Sequence, residues 1–87
     1  MIVIMIISFS DHAILQLRTR KLKKALVISA VKMPNRIIIQ SNGRLQAIKL
    51  FLKSKKKYLI VVIYENLKDD KKIITAFITS KVKKYII

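Results

Sequence analysis

The chain has 87 residues, 19 Lys+Arg against four Asp+Glu, a formal net charge of +15 and 53% hydrophobic residues. That length fits one domain, residues 1–87, whose core buries only about 60–65% of the surface an unfolded chain exposes. With no Cys, one His (His12) and one Gly (Gly43), disulfide frameworks, thiolate zinc sites, cysteine nucleophiles, P-loops and dinucleotide fingerprints are excluded. The four acids, Asp11, Glu65, Asp69 and Asp70, are too few for a two-metal nuclease, so no metal and no cofactor is expected. A chain this apolar folds, and lysine uncompensated by acid on a folded surface attracts polyanions.

The first element, Met1–Ile7, is a β-branched apolar run that reads as a buried strand. It is far shorter than the ~20 residues of a spanning helix and has no basic leader, so no membrane is expected and a cytoplasmic location is. Such a strand can also join a neighbour's sheet edge, which would give a homodimer. Ser10 is placed to cap a helix over 11–20, with Asp11 in its first turn. A second helix is predicted over 22–33 and ended by Pro34.

From residue 36 the pattern turns strand-like. RIIIQ (36–40) meets Asn42-Gly43, a two-residue hairpin signal, and RLQAIKLFLK (44–53) leaves it. A turn at 54–57, a strand at 58–65, a turn at 66–71 and a strand at 72–80 follow, and the tail 81–87 extends that strand or forms a short helix. The predicted fold is α+β: an N-terminal strand, two helices, then a four-stranded antiparallel meander with the helices on one face. This order is not the βαββαβ of an RRM, and the sheet is too large to ornament a helix-turn-helix.

His12 is the only side chain whose ordinary pKa lies near neutrality, which makes it either a candidate general base or a surface histidine beside other polar groups. His12, Gln16 and Arg20 form one slowly drifting helical stripe about 12 Å long. Lys49 interrupts the apolar row Leu45, Ala47, Phe51 of one strand face, where it either snorkels to water or enters a cleft. Alternation in the last strand places Ile73, Thr75, Phe77 and Thr79 together. The threonines suit a strand by β propensity alone, and the functional reading is that the hydroxyl of Thr75, Thr79 or Ser80 orients a phosphate, with Tyr64 or Tyr85 as a further donor or stacking platform. The basic residues cluster as Arg18–Lys24, Lys53–Lys57, Lys68–Lys72 and Lys81–Lys84. Arg18, Lys24, Arg44 and Lys53 are the candidate nucleic-acid contacts. Successive turns of a meander point to opposite ends of a sheet, so these blocks are not expected to line one site together.

Phe9-Ser-Asp-His12-Ala13, then Arg20, Met33-Pro34, Gly43-Arg44, YLIVVIYE and IITAFITSK together resemble a small domain-of-unknown-function family of the pattern S-x-H-A…R…P…V-V-Y…T-A-Y. That family is similar to the RelE and barnase/EndoU/colicin (BECR-type) toxin superfamily. The resemblance covers roughly residues 8–85. It implies helices on an antiparallel sheet and metal-independent ribonuclease activity by 2′-OH transesterification. It matches His12 and Arg20 to polar positions of the first helix, Pro34 to the end of the second and Thr75 to the last strand. Gln16 stands where the family often carries a basic residue, and Lys21 where it carries Gly. In such an enzyme His12 is the base or acid, Arg20 and Lys49 clamp the phosphorane, and Thr75 or Tyr85 position it. The partners implied are RNA and an acidic antitoxin-type protein. The rival readings are a basic nucleic-acid-binding module without chemistry and a structural, oligomerising protein.

Overall fold

The segment YLIVVIYE is apolar on both sides because it occupies the middle of a sheet covered on both faces. The computed structural model describes residues 6–86; Met1–Met5, most of the expected first strand, lie outside the described residues. The elements are β1 (Ile7–Phe9), α1 (Asp11–Thr19), α2 (Lys24–Lys32), β2 (Arg36–Ile39), β3 (Leu45–Lys53), β4 (Lys56–Leu67), β5 (Asp70–Thr79) and α3 (Val82–Ile86). The fold is α+β. The sheet, however, is five-stranded and mixed, in the order β1-β5-β4-β3-β2. The strands β2 to β5 pair antiparallel in succession, and β1 adds to β5 in parallel, Ile7 opposite Lys71 and Phe9 opposite Ile73.

One face of β4, with Ile60, Val62 and Tyr64, packs with Ala47, Ile73 and Ala76 under Ala13 and Leu17 of α1 and Val27, Ala30 and Val31 of α2. The other face, with Leu59 and Val61, packs with Ile48 under Val82 and Tyr85 of α3. Each buried Val, Leu or Ile side chain among these contributes about 1.5–3 kcal/mol. Helices therefore lie on both faces rather than one, because the short tail helix turns back over the side that α1 and α2 leave open. Burial of Tyr64 raises its phenol above the ordinary pKa, since desolvation disfavours the phenolate.

Several boundaries differ from expectation for identifiable reasons. The α1 helix ends in a Schellman arrangement, with Lys21 N–H donating to Arg18 O (3.3 Å) and Leu22 N–H to Leu17 O (2.8 Å). Leu22 thus closes the first helix instead of opening the second. At the β2–β3 hairpin Gly43 has φ 84°, its N–H bonds Gln40 O and Gln40 N–H bonds Arg44 O. This is a three-residue loop ending in a left-handed Gly, not the two-residue turn that Asn-Gly suggests. Lys53 pairs with Lys56, so the next loop holds only Ser54 (φ 52°) and Lys55 (φ 63°). Both occupy the left-handed region without the Gly or Asn that announces such a turn.

A register shift at Ile63/Tyr64 sets Ile63 opposite Thr75 and Tyr64 opposite Ile73, which leaves Ile74 as a bulge. The bulge breaks the expected alternation. Ile73 shares the α1/α2 face with Ala76, whereas Phe77 belongs to the α3 face and Thr75 follows it.

The β4–β5 turn places Lys68 at φ 56°, a region that costs a β-carbon roughly 1–2 kcal/mol. Allowing for the extra chain entropy of Gly, Lys68→Gly should stabilise the fold by roughly 0.5–1 kcal/mol, read as a higher midpoint in urea denaturation.

Candidate nucleic-acid interface

The parallel strand β1 stops at Phe9, so among the described residues β5 beyond Ile73 has no strand neighbour on that side, and α1 supplies the missing partners. Ser10 N–H donates to Ile73 O (2.9 Å). Its hydroxyl donates to Ile74 O (3.2 Å) while accepting the capping bond from Ala13 N–H (3.0 Å). One turn further, Gln16 Oε1 accepts from Ala76 N–H (3.1 Å) and from the Thr75 hydroxyl. Arg20 Nη1 then donates to Ala76 O (2.9 Å). The polar stripe of α1 thereby replaces a strand along the edge of β5.

This arrangement distributes the candidate residues. His12 is exposed in the first turn of α1, about 12 Å of helical rise from Arg20. Arg20 and Thr75 are engaged at the β5 edge. Lys49 is half-buried on the α1/α2 face, in a cross-strand row with Ile60 and Ile78. Tyr85 lies on the opposite face, edge-on to Phe77 at 6.3 Å. The structure thus brings Arg20 and Thr75 to one edge and sets His12, Lys49 and Tyr85 apart from them. Of the proposed contacts, Arg44 pairs with Glu65 (2.9 Å) and Lys24 Nζ sits 5.5 Å over the Phe9 ring. Arg18 borders a shallow depression shared with Ile14, Lys21 and Leu22, and Lys53 borders a groove of about 340 Å³.

That groove joins elements distant in sequence: Lys21, Leu22, Lys23 and Leu26 from the α1–α2 corner, and Phe51, Leu52, Lys53 and Ile78 from the sheet. Leu59 pairs with Thr79 and Lys53 with Lys56, so the β3–β4 turn and the exit of β5 into α3 share one end of the sheet. The basic blocks Arg18–Lys24, Lys53–Lys57 and Lys81–Lys84 therefore gather at that end, and only Lys68–Lys72 lies at the other. As alternating turns require, the four blocks do not all meet; three share an end because blocks separated by two turns return to the same side. The acids stand elsewhere. Asp69 and Asp70 are at the β4–β5 turn, Glu65 is held by Arg44, and Asp11 opens α1 beside the β5 bulge.

Two lysines at the groove occupy positions that the fold by itself gives to other residues. Lys21 is the left-handed residue (φ 54°) after α1, where Gly is usual. Lys23 is the N-cap of α2, makes no side-chain capping bond, and no acid follows in the first turn. A cation there opposes the helix dipole. Neither Lys21 nor Lys23 was a sequence candidate, nor were Leu22, Leu26, Phe51 and Ile78. The available signal was the pair of lysines at a helix junction with no Ser, Asp or Gly between them.

A small α+β domain with a charge-segregated sheet is the class these features define. The chain belongs to the family described as Domain of unknown function (DUF4258), whose model matches residues 9–78. No curated protein and no solved structure matches it. Among the described residues no helix is long and apolar enough to cross a membrane.

Gln16 is the test of the edge seal. Gln16→Leu keeps the side-chain bulk but leaves the Ala76 N–H and the Thr75 hydroxyl without this acceptor, and should cost about 1–3 kcal/mol in urea denaturation.

Proposed function

We propose that this protein binds single-stranded RNA through the basic end of its sheet. The observation that carries the reading is the gathering of three basic blocks at one end with all four acids elsewhere. Lysine ammoniums are compact point charges suited to phosphates, and a field of one sign raises both affinity and encounter rate. The toxin-type ribonuclease implied by the family resemblance needs a base, a cationic clamp and an acid around one phosphate. His12 stands a full helix length from Arg20, and Arg20 is engaged on a backbone carbonyl, so the geometry favours binding without cleavage. RNA incubated with the protein in EDTA should stay intact; cleavage lost in His12→Ala would restore the ribonuclease reading.

Binding should be strongly salt-dependent. With about five phosphates neutralised and a slope of about 0.7 per phosphate for single strands, affinity falls about a hundred-fold between 50 and 200 mM salt. Lys53→Glu should weaken binding at least ten-fold, and Lys72→Glu, at the opposite end, much less. Equal losses from the two would remove the basis for the assignment.

Lys21 and Lys23 give a sharper test, because stability and binding should move in opposite directions. Lys21→Gly relieves the left-handed backbone and Lys23→Ser supplies the missing cap, each stabilising by about 0.5–1 kcal/mol. Both should lower RNA affinity, whereas Lys68→Gly should stabilise and leave affinity unchanged.

A further inference from the structure

We propose that the groove between the α1–α2 corner and the sheet is a nucleobase subsite, taking one unstacked base of the strand whose phosphates meet the surrounding lysines. The inference rests on the RNA-binding reading and adds to it which part of the polymer enters the protein. The groove walls are apolar, formed by Leu22, Leu26, Phe51 and Ile78, and its margin carries Lys21, Lys23 and Lys53. A ligand that fits both features has a flat, weakly polar body and negative charge at its rim. Nucleotides of a single strand have that division, and a duplex does not offer it, since its bases are stacked and paired inside.

The aromatic wall is held in place. Phe51 stacks on Tyr58 across the β3–β4 pair, with centroids 5.9 Å apart and planes 29° from parallel. A ring fixed from one side loses little freedom when a base covers it, and base–aromatic stacking tolerates every base because each has a π face. The volume, about 340 Å³, lies at the small end of the ~300–1,000 Å³ of ligand clefts, which suits one base rather than a stacked run. Ile78, still 36% exposed, forms a wall that the fold has not covered. Charge complementarity selects an anionic occupant, because no acid lines the groove.

The test compares the full chain binding an oligouridylate of about eight nucleotides with an abasic oligomer of the same length and phosphate count at about 50 mM salt. The base-bearing strand should bind about ten-fold tighter, the size of one stack. The methyl resonances of Leu22, Leu26 and Ile78 should shift with that strand and not with inorganic tripolyphosphate. Phe51→Leu, which keeps apolar volume without a ring, should bring the two affinities together while leaving the abasic one unchanged. The comparison on the unaltered protein stands even if that variant fails to fold. Equal affinities without methyl shifts would overturn the subsite and leave the RNA-binding reading intact. Absence of binding by either strand would overturn both. Polyglutamate that shifts the same methyls and displaces the RNA would assign the groove to an acidic protein segment and overturn the base-binding proposal.

Discussion

The open edge of β5 is the constraint from which the rest of the molecule follows. A strand edge in a small domain must satisfy its N–H and C=O groups, and each one left buried and unpaired costs about 1–3 kcal/mol. Here β1 covers only the first part of that edge, and α1 covers the next with side chains: Ser10 at the bulge, Gln16 and Arg20 at Ala76. This seal places α1 along β5, with Ala13 and Leu17 pressed into the core. The Schellman turn that ends α1 then has one direction in which to leave, and α2 starts beside the exit end of the sheet. The position of the α1–α2 corner, and so of Lys21 and Lys23, is thus a consequence of how a strand edge is closed.

Charge follows the same geometry. The acids that could have neutralised lysines are absorbed elsewhere: Glu65 by Arg44, and Asp70 by the Ile6 N–H at 3.1 Å. The opposite end is left with like charges that repel one another and oppose compaction. Lys21 in a left-handed position, Lys23 at an uncapped helix start and Lys55 in a left-handed turn add conformational costs to that electrostatic one. A surface selected for stability alone would use Gly, Ser and Asn at these places. Two of these departures, Lys21 and Lys23, border the apolar groove, whereas Lys55 lies outside its lining and Lys68, at the other end, is left-handed as well.

The candidate site was legible only where it depended on local pattern. The stripe His12, Gln16, Arg20 was readable from helical spacing, but its role was not. Polar residues on an α-helix face look the same whether they meet solvent, a phosphate or a strand edge, and Gln16 and Arg20 meet the strand edge. Lys49 was correctly placed among apolar neighbours by alternation. Thr75 was placed on the face of Ile73 because a bulge leaves no mark in a run such as IITAFITS; it arises where β4 and β5 must accommodate one extra residue. The groove was invisible because Leu22, Phe51 and Ile78 are ordinary core letters in three separate elements.

By itself the sequence determined the elements and their class: the Ser10 cap, the helix stopped before Pro34, the four later strands, and an inventory with one histidine and no cysteine. These rest on interactions within a few residues, so local chemistry is enough to specify them. The tertiary structure alone decided that β1 pairs in parallel with β5, that the tail covers the second face, and that basic blocks far apart in the chain meet at one end. Those outcomes depend on which edges and faces remain to be covered after the neighbouring elements have packed, a competition among long-range partners that no local window of residues contains.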